Sequence, residues 1–166
     1  MNPLTPFAAL VAIASAWVAP SASAKAYFAP EAVMIKTAEV IAVVEITSVE
    51  PVETKTVTEA QTLDFHERAQ ARVVQTLKGK LPADVFLYGD ESFICAQVHY
   101  RPGRFLVFLR REGGLLTGCN WHLSVRPIKG DQVEWYTKAD SIEVSWQPLD
   151  AVLEKVRQAA EAPAAK

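Results

Sequence analysis

From residue 40 onward the chain runs in short apolar stretches separated by polar breaks. Val40, Ile41, Ala42, Val43 and Val44 are nearly continuous, the pattern of a strand covered on both faces. Glu45, Thr47 and Ser48 then mix with Ile46 and Val49, where one face meets water, and Pro51 marks the expected end. Between Phe65 and Leu77, Ala69, Ala71 and Val73 alternate with Arg68, Gln70 and Arg72. Period two predicts a strand there; helix stays open as the alternative, because Ala, Gln, Arg and Glu are good helix formers. The polar residues 53–64 read either as a long exposed loop or as the frayed start of that strand. Lys78–Pro82 is a turn by composition, and Val85–Tyr88 is a short strand ended by Gly89-Asp90.

The strongest pattern lies between Cys95 and Cys119. A Pro102-Gly103 turn signal leads into Phe105-Leu106-Val107-Phe108-Leu109, Arg110-Arg111 stop the run, and Gly113-Gly114 turn the chain back into Leu115-Leu116-Thr117. This predicts a hairpin in which Glu112 opposes Leu115 and Phe108 opposes Cys119. Five successive apolar residues point alternately to both faces, so both faces of this strand must be buried. A helix near each end supplies cover. Residues 29–38 begin with Pro30 and Glu31, and residues 148–157 place Leu149, Val152, Leu153 and Val156 on one stripe after Pro148. Val133–Tyr136 is a further strand. The expected class is mainly β (β+α), a five-stranded OB-type barrel or curled sheet with a short N-terminal helix and a C-terminal helix.

The N-terminus changes the picture by supplying a compartment. Phe7–Ala19 is apolar but short for a membrane span, and Ala22-Ser23-Ala24 is a small-x-small cleavage signature. Residues 1–24 read as a signal peptide cleaved after Ala24, although no Lys or Arg precedes Lys25; an uncleaved anchor is the alternative. The expected product is a secreted or periplasmic chain, without membrane attachment after cleavage. Its domain is residues 25–158 and its disordered tail residues 159–166. The formal net charge of −2 gives no general attraction to nucleic acid or anionic membranes.

Candidate chemistry is sparse. Cys95 and Cys119 form a disulfide, two free thiols, or, with His99 and His122, a tetrahedral zinc site. Otherwise His66, His99 and His122 read as ordinary strand or loop residues, and Asp84, Asp90 and Glu91 as a solvated turn. No G-x-S-x-G, H-E-x-x-H or G-x-x-x-x-G-K-[ST] pattern occurs. Ser92 has no base placed by spacing. Arg101, Arg104, Arg110 and Arg111, interleaved with Tyr100 and followed by Trp121, form a candidate surface for an anionic protein or glycan, or a solvated hairpin edge whose arginines discourage edge pairing. Trp121, Trp135, Tyr136 and Trp146 gather in the last third, mostly as core.

The stretches AEVIAVVEITSVE, RAQARVVQTLKGKLPADVFLYGDES and RPGRFLVFLRREGGLLTGCN, over residues 30–125, resemble small secreted bacterial proteins of the netrin-like superfamily, distant relatives of the tissue inhibitors of metalloproteinases. The resemblance implies a five-stranded OB-type barrel with a structural disulfide. The inhibitors' N-terminal zinc-chelating cysteine has no counterpart here, since the expected start is Lys25-Ala26-Tyr27. The expected function is therefore a secreted, non-enzymatic binding module, monomeric and without a cofactor, for a protein or glycan partner. A loop-acting protease inhibitor and a zinc protein built on the hairpin are the alternatives.

Overall fold

A computed structural model of the chain describes residues 29–57, 62–90, 97–139 and 141–162. The expected signal peptide, Cys95, Ser92 and Glu91 lie outside the described residues. Among the described residues the fold is mainly β, with a mixed eight-stranded sheet and two α-helices. Helix α1 is Glu31–Thr37, and strands β1 and β2 are Val40–Val57 and Thr62–Lys78. Next come β3 Asp84–Asp90, β4 Gly103–Glu112 and β5 Leu115–Gly118. After a 3-10 turn at Trp121–Ser124 follow β6 Val125–Lys129, β7 Gln132–Tyr136, β8 Val144–Pro148 and helix α2 Leu149–Glu161.

Strand β4 explains the architecture. Its five apolar residues are all buried, and they divide by parity as alternation requires. Leu106 and Phe108 join a cluster with Ile41, Val43, Trp135, Met34 and the α2 stripe Leu149, Val152, Leu153 and Val156. Phe105, Val107 and Leu109 join a second cluster with Val40, Ala42, Val44, Ile46, Ala69, Ala71 and Leu87. The helices thus cover one face, and the neighbouring strands enclose the other.

Both edges of β4 are also used. One edge pairs with β1 from Val40↔Leu109 to Ile46↔Gly103. The other is shared between β6 at residues 105–107 and β5 at residues 109–112. The hairpin register is as the sequence predicts: Glu112 pairs with Leu115, and the Cys119 N–H donates to the Phe108 carbonyl at 3.0 Å. Strands β1 and β2, β2 and β3, and β4 and β5 are antiparallel, whereas β3 and β5 are parallel.

Four expectations need correction. Among the described residues the strand count is eight rather than five. Strands β6 and β8 escape a hydrophobic-pattern reading because β6 carries Arg126 and Pro127, while β8 is exposed along most of its length. Pro51 does not end β1. Beyond Ile46 that strand pairs with β2 but no longer with β4, and a register irregularity lies between Pro51 and Thr54, so a residue without an N–H is tolerated. Residues 52–57 and 62–64 extend the β1–β2 hairpin into an arm rather than a loop. Helix is excluded for β2, where Ala69 and Ala71 are buried between exposed Gln70 and Arg72. The C-terminal tail is helical through Glu161, beyond the expected end of the domain.

Side chains bind α1 to this frame. The Lys78 ammonium donates to the carbonyls of Ile35 and Lys36 at 2.8 and 3.0 Å, capping the helix C-terminus. The neighbouring Gly79 has φ 75°, and a Cβ there would stand 2.5 Å from the Glu39 backbone oxygen. We expect Gly79→Ala to destabilise the fold by about 1–3 kcal/mol, since backbone strain and a backbone clash act together. Urea unfolding of the variant beside the parent chain measures this.

Candidate functional site

The segment entering β4 is held by one carboxylate. Glu67, on β2, accepts the Tyr100 N–H on Oε1 at 2.6 Å and faces His99 Nδ1 with Oε2 at 3.4 Å. His99 Nε2 lies 3.0 Å from Gln97 Oε1. Glu67 reaches this position because Gly89 opposes it on β3: a Cβ there would stand 2.3 Å from Glu67 Cγ. Val98 and Tyr100 turn into the core while His99 stays exposed, an alternation that gives the segment one anchored and one open side. The arrangement orients an imidazole beside a carboxylate.

The expected zinc set does not assemble among the described residues. No three His, Cys, Asp or Glu side chains gather there to hold a metal ion. His99 belongs to the Glu67 site. His122, in the 3-10 turn, is pushed below the usual imidazole range by burial and by the Arg126 charge, against Glu134. Cys119 is a free thiol packed against the helix-covered cluster, and its expected disulfide partner Cys95 lies outside the described residues. Burial pushes the Cys119 thiol up, only partly offset by the Ser124 and Thr37 hydroxyls, so it behaves as a packing group more than as a nucleophile.

The expected arginine surface is dispersed. Arg110 pairs with Glu112 at 2.7 Å and Arg111 with Glu39 at 3.7 Å, at one end of β4. Arg101 and Arg104 are exposed at the other end, with the Arg101 guanidinium 5.9 Å from the Phe105 ring centroid. Tyr100 is not a surface residue: it is 6% exposed, with its hydroxyl buried and unbonded. Trp121 is half-buried, at φ 46°. Of the other late aromatics, Trp135 and Tyr136 are core, as expected, and Trp146 is exposed.

Two features were not legible in the sequence. Arg126 is 2% exposed, its guanidinium 4.5 Å from the Tyr136 ring centroid and 3.9 Å from Glu134. An arginine in a weak strand pattern gives no sign of burial until β4 and β7 are placed around it. The second is the β1–β2 arm. Beside its irregularity lie two open hollows of about 250 and 330 Å³. Glu53, Thr54, Lys55, Asp64, Phe65 and His66 line the first; Pro51, Val52, Glu53 and His66 line the second. Lys55 and Asp64 pair across the arm at 3.2 Å, and Glu50 pairs with Arg68, whose guanidinium lies over the Phe86 ring. The first hollow mixes carboxylates, an ammonium and an imidazole with the Phe65 ring; the second sets Glu53 and His66 beside Pro51 and Val52.

No family model matches the chain, and no curated protein matches it. Among the described residues no helix is long and apolar enough to cross a membrane.

The phenols and the thiol give a pH prediction. Burial raises Tyr100, with Glu67 adding to it; burial also raises Tyr136, against the Arg126 charge, and raises Cys119. A folded value above the unfolded one means that the folded chain keeps protons the unfolded chain releases. The associated stability is therefore complete below the unfolded values, about 8.5–10, and is lost as pH rises beyond them. Urea midpoints measured upward from pH 8 should fall accordingly. Tyr100→Phe should flatten part of that fall and leave stability at pH 7 unchanged or higher, because it removes a buried hydroxyl without a hydrogen bond.

Proposed function

We propose that this chain is an exported binding module on an OB-type barrel of the netrin-like kind, which takes a polar protein or glycan ligand along its β1–β2 arm. The barrel reading is supported by the order of pairing. From β1 the ladders run to β2, β3, β5 and β4, and β4 pairs again with β1, with a single parallel step between β3 and β5. Strands β6, β7 and β8 then form an extension that starts from the part of that β4 edge which β5 leaves open. The cluster of Val40, Ala42, Val44, Leu87, Phe105, Val107 and Leu109 would be the barrel interior.

The binding reading is carried by the arm. Its two adjoining hollows share Glu53 and His66, and its outer edge is free of β4 beyond Ile46. Carboxylate, ammonium and imidazole groups beside the Phe65 ring suit many weak polar contacts. Binding is favoured over turnover because His99, an imidazole seated on a carboxylate, has both ring nitrogens engaged by Glu67 and Gln97. Export is the compartment in which such a module would meet its ligand, with the mature chain starting at Lys25.

Two measurements test this. The intact mass of the chain recovered after export should begin at Lys25; a mass retaining residues 1–24 would overturn cleavage. Amide shifts of the labelled chain, titrated with oligosaccharides and polar peptides, should move at Glu53, Lys55, Asp64 and His66. Replacing Glu53 and His66 together by Ala should then weaken the binding by about tenfold or more, equivalent to some 1.4 kcal/mol. Shifts mapping to other strands, or chemical conversion of the added ligand, would defeat the proposal.

A further inference from the structure

The outer edge of β8 is a second surface, at the opposite end of the strand order from β1. At the two ends of the β7–β8 ladder the Thr137 N–H donates to the Glu143 carbonyl at 2.8 Å and the Leu149 N–H to the Asp131 carbonyl at 2.7 Å. Backbone groups alternate along an antiparallel ladder, so residues 143, 145, 147 and 149 face β7. Val144 and Trp146 therefore direct their N–H and C=O groups away from it, on the edge where the sheet ends. Pro148 closes that edge with a carbonyl and no donor.

The side chains fit the same edge. Val144 and Trp146 share one face and are 37% and 38% exposed, and the Lys129 ammonium lies 4.7 Å over the Trp146 ring. Val144–Pro148 carries no charge. Of the usual devices against edge pairing, β8 has shortness and Pro148 at one end, but no lysine or inward charge along Val144–Gln147.

We infer that β8 pairs with β8 of a second copy of this chain, antiparallel, about a two-fold axis at Ser145. In that register Val144 of each copy meets Trp146 of the other, and both are residues with outward backbone groups. Four intermolecular N–H···O bonds form, with two cross-strand Val–Trp contacts on the exposed face. Moving the axis to Trp146 would set Val144 against Pro148 and lose donors. Charge agrees with the Ser145 axis: Glu143 faces the uncharged Gln147 of the other copy. The two Glu143 residues stand about 14 Å apart along the strands, beyond the ~8 Å screening length at physiological salt. A five-residue edge falls short of the roughly 1,200 Å² of a stable interface, so the pairing is a transient, concentration-driven dimer.

Sedimentation velocity on the exported chain tests this. The weight-average coefficient should rise toward the dimer value between about 10 μM and 1 mM. Val144→Pro removes an outward donor without breaking a β7–β8 hydrogen bond and should weaken association by at least about tenfold. Val144→Lys and Trp146→Glu should each weaken it as well. Together they should restore it, because in this register each new ammonium faces a new carboxylate twice. Far-UV circular dichroism identifies any variant that fails to fold, and the charge pair then decides. A monomer throughout the concentration range, or association indifferent to these changes, overturns the inference.

Discussion

Everything in this fold depends on β4 being used on all four of its sides. Phe105, Val107 and Leu109 fill one cluster and Leu106 and Phe108 the other. One edge binds β1 and the other divides between β6 and β5. The division near Phe108 makes the sheet branch: β5 leads toward β3, and β6 leads toward β7 and β8. Removing the Phe108 ring would cost about 3–5 kcal/mol by ordinary core energetics. Its stacking on Trp135, with ring centroids 5.8 Å apart, ties the branch to the face that α1 and α2 cover.

The helices act as cover rather than as functional elements. Helix α2 contributes Leu149, Val152, Leu153 and Val156, and its Lys155 ammonium meets Glu31 of α1 at 2.8 Å. Glu31 is buried, so that contact compensates a carboxylate taken out of water. Tyr136 adds a hydroxyl donated to the Ala29 carbonyl at 3.0 Å. Charge and hydrogen bonding thus fix where α1 sits, while apolar area supplies the driving force.

Legibility in the sequence followed burial. The β4 run, the β4–β5 register and the α2 stripe were readable because each is a repeated apolar pattern with one physical solution. The alternation of Ala69 and Ala71 with Gln70 and Arg72 placed β2 for the same reason. The arm, β6 and β8 were not readable, since Thr54, Lys55, Arg126 and Ser145 take their conformations from the strands they pair with and carry no apolar pattern of their own. Tyr100 was misjudged because a tyrosine among arginines resembles a surface until Glu67 takes its backbone N–H. Cysteine spacing was silent on geometry: Cys119 looks toward Thr37 and Ser124 and is unbonded.

The pairing of β1 with β4 has a consequence for how such a chain matures. Strand β1 emerges early from the ribosome, with Val40–Val44 apolar on both faces. The strand that covers its second edge arrives only after β2, β3 and the segment beyond them. Closing that interval costs loop entropy before the β1–β4 contacts can form, a topology that slows folding. Until then β1 is a sticky, half-paired hairpin. The charged pairs Glu45–Arg72 and Glu50–Arg68 along it do more for the unfinished chain, by keeping its exposed side wet, than for the finished one.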